Sequence, residues 1–377
     1  MDNSIYDIGI VGGGLAGLTL AIQCADAGYR VVLFEKEQYP FHRVCGEYIS
    51  FESFNFLQSL GIPVSTMQLP VIKKLEISDI KGRMYSFPLP LGGFGISRYL
   101  LDNLLYQTAL DKGVNVFTGN KVSGISYNND QFLIDHAGGT ATVTVAAGAF
   151  GKRSNIDVKM NRRFIIDKPD KLNNYIGVKY HVKYHQPADT IALHNFDQGY
   201  CGISKIEDDQ YCLCYLTTAH HLKQSGNSIQ TMQEKVLFQN PQLKKIFTTA
   251  TFVQQQPVTI SQISFHKKQQ VEQHLLMIGD TAGMIPPLCG NGMSMAMHAS
   301  KIAFGCIRQL MDGHITRNQM ELLYEREWKR QFEKRLWVGR TVQRMFGSTS
   351  SILFLKTMKV LPFVASQVIR QTHGTPF

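Results

Sequence analysis

Tyr6-Asp-Ile-Gly-Ile-Val-Gly-Gly-Gly-Leu-Ala-Gly17, followed by an apolar segment and then Arg30-Val-Val-Leu-Phe-Glu35, is the stretch that decides the fold. Ile8, Ile10 and Val11 make a short apolar run of the kind that forms a buried parallel strand. Gly12, Gly14 and Gly17 have the GxGxxG spacing, with Gly13, Leu15 and Ala16 between them. In that pattern the first glycine makes a tight turn, the second lets a pyrophosphate approach the backbone, and the third lets the helix pack close to the strand. The helix N-terminus then offers free N–H groups and a positive dipole end to phosphates. Leu15, Leu18, Ala21, Ile22 and Ala25 give that helix an apolar face, Gly28 stops it, and Val31–Phe34 is the second strand. Glu35 closes the strand eighteen residues beyond Gly17. A carboxylate there accepts hydrogen bonds from ribose hydroxyls and repels a 2′-phosphate. Strand, glycine turn, helix, strand and acid together predict an adenine dinucleotide without that phosphate, FAD or NAD.

The 377 residues, 44% of them hydrophobic, suffice for one large or two ordinary domains with a real core. The motif starts at the sixth residue, so no cleavable signal peptide is expected, and seven scattered cysteines favour a reduced cytoplasmic setting over a disulfide framework. No CxxC pair or zinc spacing occurs, and no metal is expected. The net charge of +10 is concentrated at 152–171 and 326–344. No nucleic-acid motif accompanies it, so no nucleic-acid partner is expected. The second basic stretch reads as a long helix, either simply solvated or in contact with anionic lipid.

Along the chain, 36–50 reads as a loop marked by Pro40 and Gly46, and 51–60 as a helix stopped by Gly61. Strands are expected at 75–80 and 83–87, a turn-rich loop at 88–95, and a helix over Arg98–Asp111 with Leu101, Leu104, Leu105 and Ala109 inward. A strand at 114–117 leads to a meander at 121–127, 131–135 and 140–146. The pattern then changes. Ile176, Val178, Tyr180 and Val182 alternate with polar neighbours, and further strands are expected at 190–196, 200–206 and 211–217, with a helix at 228–240. This is the period-two signature of a mostly antiparallel sheet. Leu275-Leu-Met-Ile-Gly279-Asp280 is a second short apolar run ending in Gly-Asp, followed by a helix to about residue 311. No internal repeat is present. The expected organisation is a dinucleotide domain over 1–154 that lends strands at about 70–98 to a second sheet, a sheet domain over 155–268, a return to the first domain over 269–312, and a helical segment over 313–377.

The glycine motif with Glu35, the helix start at Arg98 and the late Gly279-Asp280 resemble the FAD-dependent para-hydroxybenzoate hydroxylase-like superfamily over nearly the whole chain. Arg43-Val-Cys45-Gly46-Glu47 is similar to the Arg-x-Cys-Gly loop of its geranylgeranyl reductase branch. The resemblance implies an α/β fold: a Rossmann-like FAD-binding domain of the GR2 type, an interleaved antiparallel β-sheet substrate domain and a helical C-terminus. It implies FAD as cofactor. Gly12, Gly13, Gly14, Leu15, Ala16 and Gly17 would hold the pyrophosphate, and Glu35 with Lys36 the adenosine ribose. Arg43 and Arg98 would lie beside the diphosphate and ribityl chain, with Cys45 and Gly46 among the flavin contacts. Val122 would meet the adenine through its backbone. Asp280 would accept from the ribityl hydroxyls or cap the helix, with Gly279 and Pro287 also among the cofactor contacts, and Gly290, Gly292 and Met293 would place N–H groups at the flavin edge, where a glycine-rich helix entry is an anion site. Tyr200 and Cys289 would face the substrate. Departures limit the carry-over. Ala146-Ala147-Gly148 lacks the acid of the usual Ala-Asp-Gly, Gly199-Tyr200-Cys-Gly-Ile-Ser204 lacks the branch's Trp and Phe-Pro, and no Trp-x-Trp-x-Ile-Pro halogenase motif occurs. The substrate therefore need not be geranylgeranyl.

What this implies is an FAD-dependent oxidoreductase. It would take electrons from transiently bound NAD(P)H, since no second GxGxxG exists, and reduce a double bond of a lipophilic substrate. One alternative is a monooxygenase using NAD(P)H and O2. Another is a lipid-binding carrier without redox chemistry, against which the intact Gly12, Gly14, Gly17, Glu35 and Asp280 argue. Cys45 and Cys289 read either as reactive thiols, since basic neighbours and helix starts favour thiolates, or as small apolar fillers. Cys212 and Cys214 share a strand face and read as core filling. His42 reads as a solvated loop residue or a proton relay, and His220–His221 as a turn. The apolar stretch 351–369 is broken by Lys356, Lys359 and Pro362. It suits docking on the sheet domain, or an amphipathic helix at a membrane surface or at a mouth for lipophilic substrates. The oligomeric state is left open.

Overall fold

The structure, a computed structural model, describes residues 6–166, 174–284, 286, 288, 290–348 and 350–377. The chain builds two sheets and crosses between them four times. It opens with β1 (Tyr6–Val11), α1 (Leu15–Asp26) and β2 (Val31–Phe34), with β1 and β2 parallel and Ile8 opposite Val31. Gly12 has a φ of +111°, which side-chain-bearing residues rarely adopt, and a Cβ on Gly17 would strike the Gly12 carbonyl. Both the turn and the close helix–strand approach thus require glycine.

The chain then enters the second sheet as β3 (Tyr48–Ser50), α2 (Phe54–Ser59), β4 (Val71–Ser78) and β5 (Met84–Gly95). It returns through α3 (Arg98–Asp111), β6 (Asn115–Phe117) and the meander β7 (Val122–Asn128), β8 (Gln131–His136) and β9 (Gly139–Gly148). After α4 (Asn155–Lys159) and α5 (Arg163–Ile166) it crosses again. There it builds β10 (Tyr175–Lys183), β11 (Thr190–Phe196), β12 (Gly199–Lys205), β13 (Tyr211–Thr218), α6 (Ala219–Gln224), α7 (Ile229–Lys235), α8 (Pro241–Thr249), β14 (Thr251–Phe252) and β15 (Val258–Ile263). Finally β16 (Val271–Glu272) and β17 (Leu275–Met277) rejoin the first sheet, and α9 (Gly292–Met311), α10 (Arg317–Met345), α11 (Ser350–Val360) and α12 (Pro362–Thr372) follow.

The first sheet runs β16-β17-β9-β1-β2-β6, with β8 and β7 added beside β9. The second runs β14-β10-β13-β12-β11-β4-β5-β3, with β15 also paired to β10, and it is antiparallel except where β11 meets β4. Ile176, Val178, Tyr180 and Val182 of β10 join Leu213 and Tyr215 of β13 and Met232 and Leu243 of the helices in one core. The other face of this sheet carries Gly177, Lys179 and His181 of β10, and it turns toward the first sheet, not toward water.

Some expectations from sequence differ from what is observed. Residues 88–95, expected as a loop, continue β5: Tyr85, Phe87 and Leu89 are buried while Ser86, Pro88 and Pro90 between them are exposed. Only β4 flanks that half of the strand, since β3 pairs no earlier than Gly93. Prolines on an otherwise unpaired edge cost no ladder bond, and they hid the alternation. The helix expected at 228–240 is α7 plus a short 3-10 turn, and α8 follows from Pro241 with Asn240 as its cap. His220 and His221 belong to α6, where His221 is buried between Thr217 and Asp197.

Candidate active site

Between the two sheets lies a cavity of about 900 Å³. At one end the glycine turn brings Gly12, Gly14, Leu15 and Ala16 to its wall, and Glu35, Lys36, Arg98 and Val122 stand beside them. Opposite are Gly279, Asp280, Gly290, Gly292 and Met293, and the loop Arg43, Cys45, Gly46 crosses the middle. Residues far apart in the sequence thus border one cavity. Gly13 and Gly17 stand behind the turn. The Gly13 N–H donates to Glu35 at 2.8 Å, and its carbonyl accepts from the Tyr39 hydroxyl. Pro287 and Cys289 lie outside the described residues.

Charge at this end is arranged as a chain. Glu35 is buried, and it accepts from the Gly13 and Glu37 N–H groups and from Arg43 at 2.9 Å. Arg43 continues to Asp102 at 3.1 Å, and Arg98 grips the same carboxylate with bonds of 2.6 and 2.7 Å. Asp102 was not singled out in the sequence. Its signal was the four-residue spacing from Arg98 on α3. Among the described residues, chain neighbours aside, only the Arg98 guanidinium comes within 4 Å of a Cβ built on Gly14, at 3.7 Å. A cradle that a side chain would fill, roofed by an arginine and set at the start of α1, fits a diphosphate.

The loop 43–47 is held from both sides, Arg43 by the first domain and the later residues mostly by the second sheet. Lys152 Nζ donates to the Val44 carbonyl, the Cys212 thiol to that of Cys45, and Ser204 to that of Gly46. Glu47 anchors the end: it is fully buried and adopts φ +55°. Its carboxylate takes Lys179 at 2.5 Å, His181 at 2.6 Å and the Arg98 N–H at 2.8 Å. Burial alone would raise the Glu47 carboxyl, but Lys179 and His181 outweigh it and hold it at about 2. The polar side of β10 therefore anchors the Glu47 end of the loop. Glu47, His181 and Cys212 also lie within 4.8 Å of one another, a ligand-like set. The Lys179 ammonium on Glu47 already supplies the cation there.

Other side chains also differ from expectation. Cys212 and Cys214 share a face, but it looks at the loop and cavity rather than into the helix-covered core, and burial raises the Cys214 thiol to about 12. His42 is not a freely solvated loop residue. It stacks on Tyr99 with ring centres 4.6 Å apart and contacts Gln254 at 2.7 Å, and burial, then the Lys179 charge, lower it to about 4. Cys45 is half-buried on the cavity wall.

Beyond the loop the cavity continues as a chamber walled by Ile191, Leu193, Tyr200, Leu216, Ile260 and Ile263. Strands β10 to β15 bring no charged residue to that wall. The same apolar cluster continues into Leu355, Met358, Ala365 and Ile369 of α11 and α12, so these helices dock on the sheet by their inner faces.

Comparison with known proteins bears on this geometry. The sequence profile of the FAD binding domain family matches residues 6–314. A 1H-pyrrole-2-carbonyl-(peptidyl-carrier protein) brominase of Pseudoalteromonas luteoviolacea is 24% identical, over 82% of this chain and 79% of its own. A digeranylgeranylglycerophospholipid reductase of Methanococcus vannielii is 22% identical, over 87% of this chain and 83% of its own. Among solved structures, PqsL of Pseudomonas aeruginosa, a probable FAD-dependent monooxygenase, has a TM-score of 0.71 at 14% identity, covering 94% of this chain and all of the other.

Proposed function

Because the chain belongs to the FAD binding domain family and is an FAD-dependent oxidoreductase, we propose that it reduces a carbon–carbon double bond of a lipophilic substrate with electrons from NAD(P)H. The observation that carries this reading is the wall beside Cys45 and Gly46, to which strands β10 to β15 bring apolar side chains and no charged residue. An apolar wall favours a substrate that is itself apolar at the reacting carbons, and it keeps water from them. FAD, when bound, supplies hydride chemistry, and the protein supplies binding, orientation and electrostatics. Arg98 and the glycine turn at the start of α1 would hold the diphosphate, Glu35 would accept from the ribose, and the α9 N-terminus would face the flavin edge. The loop tied down by Glu47 separates the charged end from the apolar end. NAD(P)H binds transiently, since the sequence has no second glycine motif. A reduced cytoplasmic compartment belongs to the proposal, in keeping with the buried free thiols of Cys24, Cys201 and Cys306.

A second reading, an oxygen-using monooxygenase, is favoured by one observation: residues 199–204 lack the Trp and Phe-Pro of the reductase branch. One experiment separates the two. The FAD-loaded protein is reduced with NAD(P)H without oxygen and mixed with a prenylated lipid. Reoxidation of the flavin, with a product heavier by two hydrogens, supports the reductase. Product that forms only after oxygen is admitted, and carries an added oxygen atom, supports the monooxygenase. A colourless protein that takes up no FAD would leave only the lipid carrier.

A further inference from the structure

The inner faces of α11 and α12 are buried, and their outer faces are not covered by any described residue. The two helices turn through 110° at Leu361. Leu353, Lys356, Thr357 and Val360 fall on one face of α11 at helical spacing, and all four are exposed. Phe363, Ser366 and Arg370 do the same on α12. Leu353 is 71% exposed, Val360 75% and Phe363 73%, and Val360 and Phe363 flank the bend directly. No single described helix is long and apolar enough to cross a membrane, although α11 and α12 taken together, bent as they are, reach that length and composition.

Charge identifies the occupant. After Glu333 the sequence has no acidic residue to its end at Phe377. In the same stretch Lys334, Arg344, Lys356, Lys359 and Arg370 are exposed, and none has an ion-pair partner among the described residues. Apolar side chains at a helix bend, flanked by uncompensated cations, match the interface of an anionic bilayer: chains enter the acyl boundary and ammonium groups meet phosphates. We propose that the α11–α12 bend is a docking surface for anionic phospholipid membranes. The same two helices contribute their inner faces to the cluster that walls the chamber. A membrane-borne substrate would thus meet the protein at the chamber's own cover. That last link alone rests on the lipophilic-substrate reading.

The test is co-sedimentation of the FAD-loaded full chain with vesicles of phosphatidylcholine alone or mixed with phosphatidylglycerol. Binding is expected only to the mixed vesicles and is expected to weaken with salt. Two sets of exposed substitutions, Leu353→Ser with Val360→Ser and Phe363→Ser, and Lys356→Glu with Lys359→Glu, should each lower the partition at least about tenfold. Neither set should change FAD content or flavin reduction by NAD(P)H in solution, which also certifies folding. Absence of sedimentation, equal binding to both vesicle types, or binding indifferent to the serine set would overturn the proposal. Failure of flavin reduction with vesicle binding intact would count against the enzymatic reading and leave the docking surface standing.

Discussion

The two ends of the cavity are built on opposite plans. At the glycine-turn end, charge faces inward: Glu35, Arg43, Arg98 and Asp280 border the space, Glu35 pairs with Arg43, and both arginines share Asp102. At the second-sheet end, Lys179, His181 and Glu47 are bonded to one another against the loop, and strands β10 to β15 present an uncharged wall. An end that grips a fixed dianion needs exposed, preorganised charge. An end that takes an apolar molecule needs its ions withdrawn, but still needs them to position the loop between. The difference teaches that one half specifies the cofactor while the other leaves substrate identity to shape.

Substitutions can break or sharpen that contrast. The largest effect is expected from Gly14→Glu, which fills the cradle and sets a carboxylate where a diphosphate belongs. FAD affinity should fall on the order of a thousandfold, read by flavin retention, with the second sheet intact by circular dichroism. Lys179→Met leaves Glu47 charged and buried without its ammonium. It should lose about 3–5 kcal/mol in urea unfolding, and adding Glu47→Gln should restore part of that. If Lys179→Met were harmless, the withdrawn ions would not be holding the loop. Ile191→Lys puts charge on the apolar wall. It should cut kcat/KM for a lipophilic substrate about a hundredfold while flavin reduction by NAD(P)H continues.

Acid should be felt next. His42 and His194 are lowered to about 4 by burial, from an ordinary 6.5, so the unfolded chain binds the extra protons. Their contribution to stability is present above pH 6.5 and is lost as pH falls toward 4. Glu47, lowered from 4.5 to about 2, adds a second loss between those values. A pH series of thermal midpoints that was flat from 6.5 to 4 would contradict this. The smallest effect is expected from Cys45→Ser, with stability changed by less than about 0.5 kcal/mol and FAD retained. A turnover loss above tenfold in that variant would assign the thiol chemistry rather than packing.

The charged end was largely legible in the sequence because its parts are local motifs: a glycine turn, an acid closing the next strand, and an arginine opening a helix. The β10 alternation was legible for the same reason, since period two is a property of one strand. What sequence could not supply were partners across the fold. Glu47 meets Lys179 and His181 more than a hundred residues later, and nothing near either marks the pairing. For Asp102 the four-residue spacing from Arg98 marked one partner, but nothing local marked Arg43 as the second. The β5 extension was masked by two prolines whose harmlessness depends on an edge that only the assembled sheet defines.

The four crossings between sheets have a consequence during synthesis. β9 lies between β1 and β17, so the nucleotide-side sheet stays open on one flank until residue 277 has left the ribosome. β4 likewise waits for β11, its parallel neighbour. Neither half of the protein can close early and shelter the other, so a nascent chain must keep several apolar strands out of trouble until nearly three-quarters of it exists.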